Sequence, residues 1–213
     1  PTGTMLTPEA LADLSRSCAA KGRWFVSDEI YHGISFGMEE ATALASSADA
    51  VVANSFSKYY SMTGWRLGWL VVPERLVRPL ERLAQNLFIS PPAIAQEAAV
   101  AAFDATDELD TNVALYSVNR DLLLEALPDA GITRFAPADG AFYLYADVSD
   151  LLANGSNMTS IEFCQRMLHE AGVAATPGLD FDPLRGHQTV RFSFAGATAD
   201  MAEAAARLKT WLR

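Results

Sequence analysis

The sequence predicts an α/β fold: part of a mostly parallel sheet flanked by helices, followed by a smaller α+β domain. Of its 213 residues, 50% are hydrophobic, so the chain can bury a substantial core. Up to Pro73, short apolar runs alternate with helical segments in the order typical of crossover units in a parallel sheet. After a long helical segment, alternation of the β type begins near residue 132.

Local signals define the elements of the first part. Thr7 is a suitable N-cap and Pro8 a suitable first helical residue, and Leu11, Leu14 and Cys18 predict the buried stripe of that helix. We predict strands at 24–26, 50–54 and 67–72, with a short helix between 38 and 49.

Helical periodicity dominates the middle of the chain, and the last part is mixed. We predict helices at 74–87, 93–103 and 108–127, a bent β pair at 132–148, a helix at 159–171, a strand at 189–194 and a helix at 198–212. The helix at 108–127 is interpreted as a connector, which divides the chain into domains 1–127 and 128–213.

Composition excludes several classes of protein. The formal net charge of −10 argues against a nucleic-acid-binding surface, and no apolar run reaches the length of a membrane span. Cys18 and Cys164 lack the spacing of a zinc site or disulfide framework, and His32, His169 and His187 lack metal-ligand spacing, so no metal is expected. We therefore expect a reduced, soluble, cytoplasmic protein without nucleic-acid or membrane partners.

The segment 55–69 carries the strongest chemical signal. Lys58 follows an apolar run directly, where a strand end can hold an amine out of water as a nucleophile towards an aldehyde. Ser55, Ser57 and Arg66 are the residue types that hold an anionic phosphate. The alternative interpretation is a solvated surface lysine and an arginine in a surface ion pair.

Three further residues are candidates for the same chemistry. Asp28 ends a strand that we predict to be buried, where a carboxylate requires a cationic partner; otherwise it is a turn residue or helix cap. Tyr31 offers a phenol, or ordinary half-buried packing. Arg191 alternates with Val190 and Phe192, so it is either exposed or a clamp for a substrate carboxylate.

These motifs together resemble the fold-type I pyridoxal-phosphate-dependent aminotransferases of class I/II. The resemblance covers essentially the whole chain and rests on motifs in the family's order: Pro1-Thr2-Gly3-Thr4, Asp28-Glu29-Ile30-Tyr31, Ser55-Phe56-Ser57-Lys58, Thr63-Gly64-Trp65-Arg66-Leu67-Gly68-Trp69, Gly140-Ala141-Phe142-Tyr143, and Pro177-Gly178 with Phe181 before Arg191.

The resemblance implies a role for each candidate. Lys58 is the lysine that forms the Schiff base with pyridoxal 5'-phosphate and carries the proton, with Asp28 on the pyridine nitrogen and Tyr31 on O3′. The residues implied to hold the phosphate are Ser55, Ser57 and Arg66. Arg191 is implied to bind the substrate carboxylate, and the large domain ends in the connecting helix before a small C-terminal domain.

The implied function is transamination between an L-amino acid and a 2-oxo acid by a homodimer. Family members also carry an N-terminal half, so we expect this chain to be a C-terminal portion that is inactive alone and binds the cofactor weakly or not at all, or oligomerises. Asp182 stands where the family commonly has glycine, which predicts an altered loop. Two alternatives are a carbon–sulfur β-lyase of the same fold and an aminotransferase-like ligand-sensing domain of a transcriptional regulator.

Overall fold

Helices and strands alternate through the part of the chain that the computed structural model describes, residues 1–153 and 158–213. The helices are α1 (Pro8–Ala20), α2 (Glu74–Leu87), α3 (Ala93–Ala102), α4 (Thr106–Ala126), α5 (Ser149–Leu152), α6 (Ser160–Arg166) and α7 (Thr198–Trp211). The strands are β1 (Val26–Asp28), β2 (Val51–Ser55), β3 (Gly68–Val71), β4 (Arg134–Phe135), β5 (Tyr143–Asp147), β6 (Thr176–Pro177) and β7 (Thr189–Ser193). None of these helices is long and apolar enough to span a membrane.

The described chain forms two units, which we name after their candidate residues. The lysine unit comprises Leu6–Val113, and the arginine unit comprises Pro1–Met5 with Ala114–Arg213. The division falls inside α4. The sequence did not predict this position, because a continuous helix gives no sequence signal where its packing partners change. The predicted domains 1–127 and 128–213 therefore differ from these units, and they stay a prediction about the family's domain organisation.

The sheet of the lysine unit brings two strand ends to one edge. Its order is β1-β2-β3, with β1 parallel to β2 and β3 antiparallel to β2. The parallel register sets Asp28 opposite Ala53, so the carboxyl ends of β1 and β2 lie at the same edge. Ser55 pairs with Gly68 at that edge, which places the intervening loop there as well.

The helices of the lysine unit match the predicted bounds more closely than the predicted burial. Thr7 caps α1 as expected, since its hydroxyl accepts a hydrogen bond from the Ala10 amide at 3.2 Å. Ser15 joins Leu11 as a buried residue of α1, whereas Leu14 is exposed, so that part of the predicted stripe was wrong. The short helix predicted between 38 and 49 is a single 3₁₀ turn, Ala43–Ala45.

The arginine unit is a four-stranded antiparallel sheet with helices. The strand order is β4-β5-β7-β6, so the predicted pair at 132–148 is confirmed as β4 and β5. The two-residue strand β6 was not predicted from the sequence. A capping box begins α6, and a π-helical turn extends it to Gly172, whose φ is 66°.

The buried Asn119 of α4 fixes the end of β7. Its amide nitrogen donates to the carbonyl oxygens of Phe194 and Gly196 at 3.0 and 2.8 Å. Asn119 is fully buried, and no pattern in the sequence singled it out. Since β7 contains Arg191, this anchor also limits movement of that strand.

Candidate active site

Phe56 anchors the loop that carries Lys58. Its buried ring packs against the rings of Tyr60, Trp69 and Phe103, with centroids 4.9, 5.0 and 5.4 Å away. Its amide donates to the Leu67 carbonyl oxygen at 3.1 Å, which closes the loop across the β2–β3 pair. The loop is therefore held by an aromatic cluster from inside the unit, while the residues on either side of Phe56 remain available for chemistry.

The predicted phosphate-holding residues form one hydrogen-bonded turn. The hydroxyl oxygens of Ser55 and Ser57 lie 3.0 Å apart, and the Ser57 amide donates to the Ser55 hydroxyl at 3.0 Å. The Thr63 hydroxyl donates to the Ser57 carbonyl oxygen at 2.7 Å, and the Arg66 guanidinium donates to the Thr63 carbonyl oxygen at 3.0 Å. Hydroxyls, an amide and a guanidinium thus collect within one loop.

The same turn contains unusual backbone conformations. Ser61 and Arg66 have φ values of 55° and 54°, the left-handed region that costs a non-glycine residue about 1–2 kcal/mol. They flank the 3₁₀ turn Thr63–Trp65. Such conformations persist where surrounding contacts enforce them, and they cluster at functional sites.

Lys58 and Tyr31 lie close together, although they are 27 residues apart in the sequence. The Lys58 ammonium nitrogen is 5.6 Å from the centroid of the Tyr31 ring, within the range of a cation–π contact. Both side chains are half-buried. The crossover from β1 to β2 thus brings together two of the predicted catalytic residues.

Of the two adjacent carboxylates at the end of β1, Asp28 is exposed and Glu29 is buried. Asp28 is exposed, and its Oδ1 accepts a hydrogen bond from the Ile30 amide at 3.2 Å. The expectation of a buried strand was wrong, because Val26 and Asp28 are exposed and only Ser27 of β1 is buried. The neighbouring Glu29 is the buried carboxylate of this turn, and sequence reasoning missed it.

Tyr59 is a second residue that the sequence did not single out. Its hydroxyl donates to Asp110 Oδ1 at 2.6 Å, which ties the lysine loop to the first part of α4. Burial, the hydrogen bond to Asp110 and the negative charge of that carboxylate raise the pKa of Tyr59 to about 12. The phenol therefore stays protonated and acts as a donor at ordinary pH.

Arg191 of the arginine unit is stacked between two aromatic rings. Its guanidinium carbon lies 4.1 Å from the ring centroid of Tyr143 and 4.2 Å from that of Phe181. The predicted alternation is confirmed, since Val190 and Phe192 are buried and Arg191 is half-buried. Within residues 1–153 and 158–213, no carboxylate forms an ion pair with Arg191. Stacking covers the faces of the guanidinium and leaves its N–H edge to an anion.

Asp182, the predicted departure from the family pattern, stabilises its own turn. Its Oδ1 accepts hydrogen bonds from the amides of Leu184 and Arg185 at 2.9 and 3.1 Å. These amides, followed by the Arg185 guanidinium, lower the pKa of the Asp182 carboxyl. The aspartate thus caps the turn that precedes β7.

The remaining residues considered as metal ligands are two histidines and the two cysteines. His169 and His187 are exposed, and both cysteines are free thiols. Burial raises the pKa of the Cys164 thiol to about 12, which makes it an inert core residue. Among the described residues, histidine, cysteine and acidic side chains form no group that could hold a metal ion.

The donor set of the lysine unit fits pyridoxal phosphate. The hydroxyls of Ser55 and Ser57 with Arg66 suit an anionic group, and a half-buried lysine amine suits an aldehyde. Among the residues that the structure describes, no cationic side chain forms an ion pair with Asp28, so its carboxylate is available for a protonated ring nitrogen. The candidate residues of the lysine unit thus match three different parts of that cofactor.

Comparison with known protein families gives a match over almost the whole chain. Residues 1–208 match the family model described as aminotransferase class I and II. Valine–pyruvate aminotransferase of Mycobacterium tuberculosis is 50% identical over 100% of this chain and 54% of its own length. Aspartate aminotransferase of Sulfurisphaera tokodaii is 31% identical, again over 100% of this chain and 54% of its own length.

Solved structures show the same relationship. An aminotransferase from Mycobacterium tuberculosis superposes with a TM-score of 0.95 at 50% identity, covering 100% of this chain and 55% of that structure. A putative aminotransferase from Silicibacter pomeroyi gives a TM-score of 0.94 at 54% identity, covering 100% and 56%. The chain thus spans about half the length of the relatives it matches. That this half is the C-terminal one stays a prediction from its motifs.

Proposed function

The chain belongs to the aminotransferase class I and II family, and we propose that it carries the lysine side of a pyridoxal-phosphate-dependent transamination site. The reaction would exchange an amino group between an L-amino acid and a 2-oxo acid. The observation that carries the proposal is the position of Lys58, in a loop of hydroxyl donors and beside the Tyr31 ring.

Bound pyridoxal phosphate supplies an aldehyde for an amine and a cationic ring that draws electrons from the substrate's α-carbon. In our proposal, the Lys58 amine would hold the aldehyde carbon, with loss of water, and would move the α-proton once the substrate amine has displaced it. Asp28 holds the proton on the ring nitrogen, and Tyr31 donates to the ring oxygen beside the aldehyde. Ser55, Ser57 and Arg66 bind the phosphate. Arg191 binds the substrate α-carboxylate through its N–H edge.

The assembly around this site is part of the proposal. We place residues 1–127 in the large cofactor-binding domain of the family and 128–213 in its small C-terminal domain. The active form would be a cytoplasmic homodimer with amino-acid and 2-oxo-acid substrates, as the resemblance implies.

The relatives suggest which substrates to test first. The relative named valine–pyruvate aminotransferase is 50% identical along this whole chain, so valine and pyruvate are the first pair to assay. Aspartate is the second donor, since several relatives are named aspartate aminotransferase. Release of pyruvate and a thiol from cystathionine, without amino transfer, would instead indicate a β-lyase.

Covalent labelling tests the role of Lys58. Within this chain lysines occur at positions 21, 58 and 209, so borohydride reduction of the full-length holoenzyme that contains it, followed by peptide mapping, distinguishes them from one another and from any other lysine. We expect the cofactor on Lys58. We also expect Lys58→Ala to lose the label and about 10²–10⁴-fold of the turnover, the usual contribution of a positioned acid–base group.

Lys21→Ala is the matched control, because Lys21 lies at the end of α1, outside the proposed site. It should keep both label and turnover. Label on Lys21, Lys209 or any other lysine, or turnover unchanged in Lys58→Ala, would refute the assignment.

A further inference from the structure

Glu29 is a buried carboxylate that the proposed function does not use. Its side chain is 6% exposed, whereas the adjacent Asp28 is exposed. Glu29 Oε1 accepts a hydrogen bond from the Ala43 amide at 2.8 Å, and Oε2 lies 3.6 Å from Nδ1 of His32. Burying a carboxylate is costly unless a cation and hydrogen bonds compensate, so this arrangement requires its partners.

His32 faces the other oxygen of this carboxylate. Its Nδ1 faces Glu29, and its Nε2 lies 3.1 Å from the carbonyl oxygen of Ala41. A carbonyl oxygen only accepts, so Nε2 donates in the contact with Ala41, and Nδ1 lies at ion-pair distance from the Glu29 carboxylate. The Glu29–His32 pair thus joins the turn after β1 to the segment at residues 41–43.

In sequence, Tyr31 lies between Glu29 and His32. The His32 amide donates to the Glu29 carbonyl oxygen at 3.1 Å, which closes a tight turn with Tyr31 inside it. The Gly33 amide then donates to both carboxylate oxygens of Glu40 at 2.9 and 3.1 Å. The backbone is therefore fixed immediately before and after Tyr31.

Gly33 adds a steric limit. Its φ is 88°, and a Cβ there would lie 2.5 Å from the ring of Tyr59. Tyr59 directly follows Lys58, so the turn that carries Tyr31 and the loop that carries Lys58 touch at this point. Any shift of the turn is therefore transmitted to the geometry between Lys58 and Tyr31.

We propose that Glu29 and His32 are positioning residues, a buried carboxylate and a half-buried imidazole that hold Tyr31 against Lys58. They act through the turn and do not touch the cofactor themselves. The inference rests on the proposed function, because it assigns the pair a role in the proton chemistry of the lysine site. If the pair served the fold alone, its removal would change stability and leave the titration of the site unchanged.

A double-mutant cycle on the holoenzyme separates these roles. Glu29→Gln keeps an oxygen for the Ala43 amide and removes the charge that pairs with His32. We expect it to shift the pH midpoint of the absorbance of the bound cofactor by about 0.5 pH unit or more, in the direction that Tyr31→Phe shifts it. In the Tyr31→Phe background, Glu29→Gln should cause no further shift.

Two controls make the result specific. Glu39→Gln removes an exposed carboxylate of the same segment and should leave the midpoint unchanged. His32→Gln, which removes the imidazole that faces Glu29, should reproduce the Glu29→Gln shift and keeps the proposal testable if Glu29→Gln folds poorly. Additive shifts in the cycle, or a midpoint unaffected by Glu29→Gln and His32→Gln, would overturn the positioning role.

A measurement without cofactor tests the same inference. Amide hydrogen exchange at residues 31–33 of the cofactor-free protein should be at least about tenfold faster in Glu29→Gln than in Glu39→Gln. Equal exchange in both variants would contradict the proposal. Failure of the proposed function looks different: the wild-type protein would then show no cofactor absorbance that depends on Lys58.

Discussion

Tyr59 shows how one residue can link the reactive loop to a distant element. Its ring faces Gly33, and its hydroxyl bonds to Asp110 of α4. A hydrogen bond to a charged acceptor contributes more than a neutral one, and this bond joins segments about fifty residues apart. The sequence does not predict this hydrogen bond, because a tyrosine at position 59 is equally compatible with ordinary packing.

The raised pKa of Tyr59 makes this bond testable by pH. An unfolded tyrosine titrates near pH 10, whereas the folded pKa is about 12. The unfolded chain therefore loses this proton first as pH rises, and the stabilisation is complete below about pH 10 and lost towards about pH 12. We expect Tyr59→Phe to lower the free energy of unfolding by about 1 kcal/mol at neutral pH.

The difference between wild type and Tyr59→Phe should shrink as the pH rises from about 10 to about 12. Urea denaturation across that range measures it, and tyrosinate absorbance follows the titration directly. Asp110→Asn is the companion variant: it keeps an oxygen acceptor but lacks the charge, so the folded pKa of Tyr59 should fall. A pH-independent difference would show that Tyr59 contributes by packing alone.

At the level of elements, the β2–β3 pair determines where the lysine loop begins and ends. Ser55 and Gly68 are partners in that pair, and the Ser55 hydroxyl also donates to the Leu67 carbonyl oxygen at 3.1 Å. A Cβ on Gly68 would lie 2.6 Å from the Asn54 carbonyl oxygen. The two strands therefore approach closely only because residue 68 is glycine.

The two glycines of this motif should respond differently to alanine. Gly68→Ala forces the β2–β3 pair apart, and overpacking of this kind typically costs about 1–3 kcal/mol. Gly64→Ala is the matched control, because a Cβ there meets no atom within 4 Å. Urea denaturation of both variants should show a clear loss for Gly68→Ala alone. Equal stability of the two would refute the close-approach argument.

Element types were more predictable than burial. The helix at 74–87 was predicted with its bounds intact, because leucine spacing and Pro73 act locally. No residue of that helix is buried, however, since burial depends on what lies beside a helix and not on its own period. The two-residue strand β6 was missed because Pro177 disfavours a strand and pairing with β7 comes from the fold.

The same contrast, between local sequence patterns and contacts set by the fold, applies to the candidate site. The placement of Lys58, Ser55 and Ser57 at and just after a strand end could be predicted because a strand followed by hydroxyls is a local pattern. The identity of the buried carboxylate could not, because Asp28 and Glu29 are adjacent and the direction each faces is set by the turn. The aromatic stacking of Arg191 also depends on residues far apart in sequence.

For the whole molecule, the notable property is apolar surface on the lysine unit. Its three-stranded sheet has β1 and β3 as edges, and both expose apolar side chains. Exposed large apolar residues of this unit include Trp24, Val26, Leu70, Val71, Leu83, Leu87, Phe88 and Ile89. Edge strands and exposed apolar side chains both favour association.

We predict that the purified 213-residue chain self-associates through this surface. Leu87 is 70% exposed, and its neighbours Phe88 and Ile89 are 58% and 80% exposed, so a charge at position 87 interrupts a continuous apolar run. Leu87→Lys should weaken self-association at least about tenfold, which corresponds to about 1.4 kcal/mol. Leu184 is 81% exposed but belongs to the arginine unit, so Leu184→Lys adds the same charge away from this run. Sedimentation equilibrium over a range of concentrations compares the two. An equal effect of both substitutions would indicate that net charge alone controls association, and a monomeric wild type at every concentration would contradict the prediction outright.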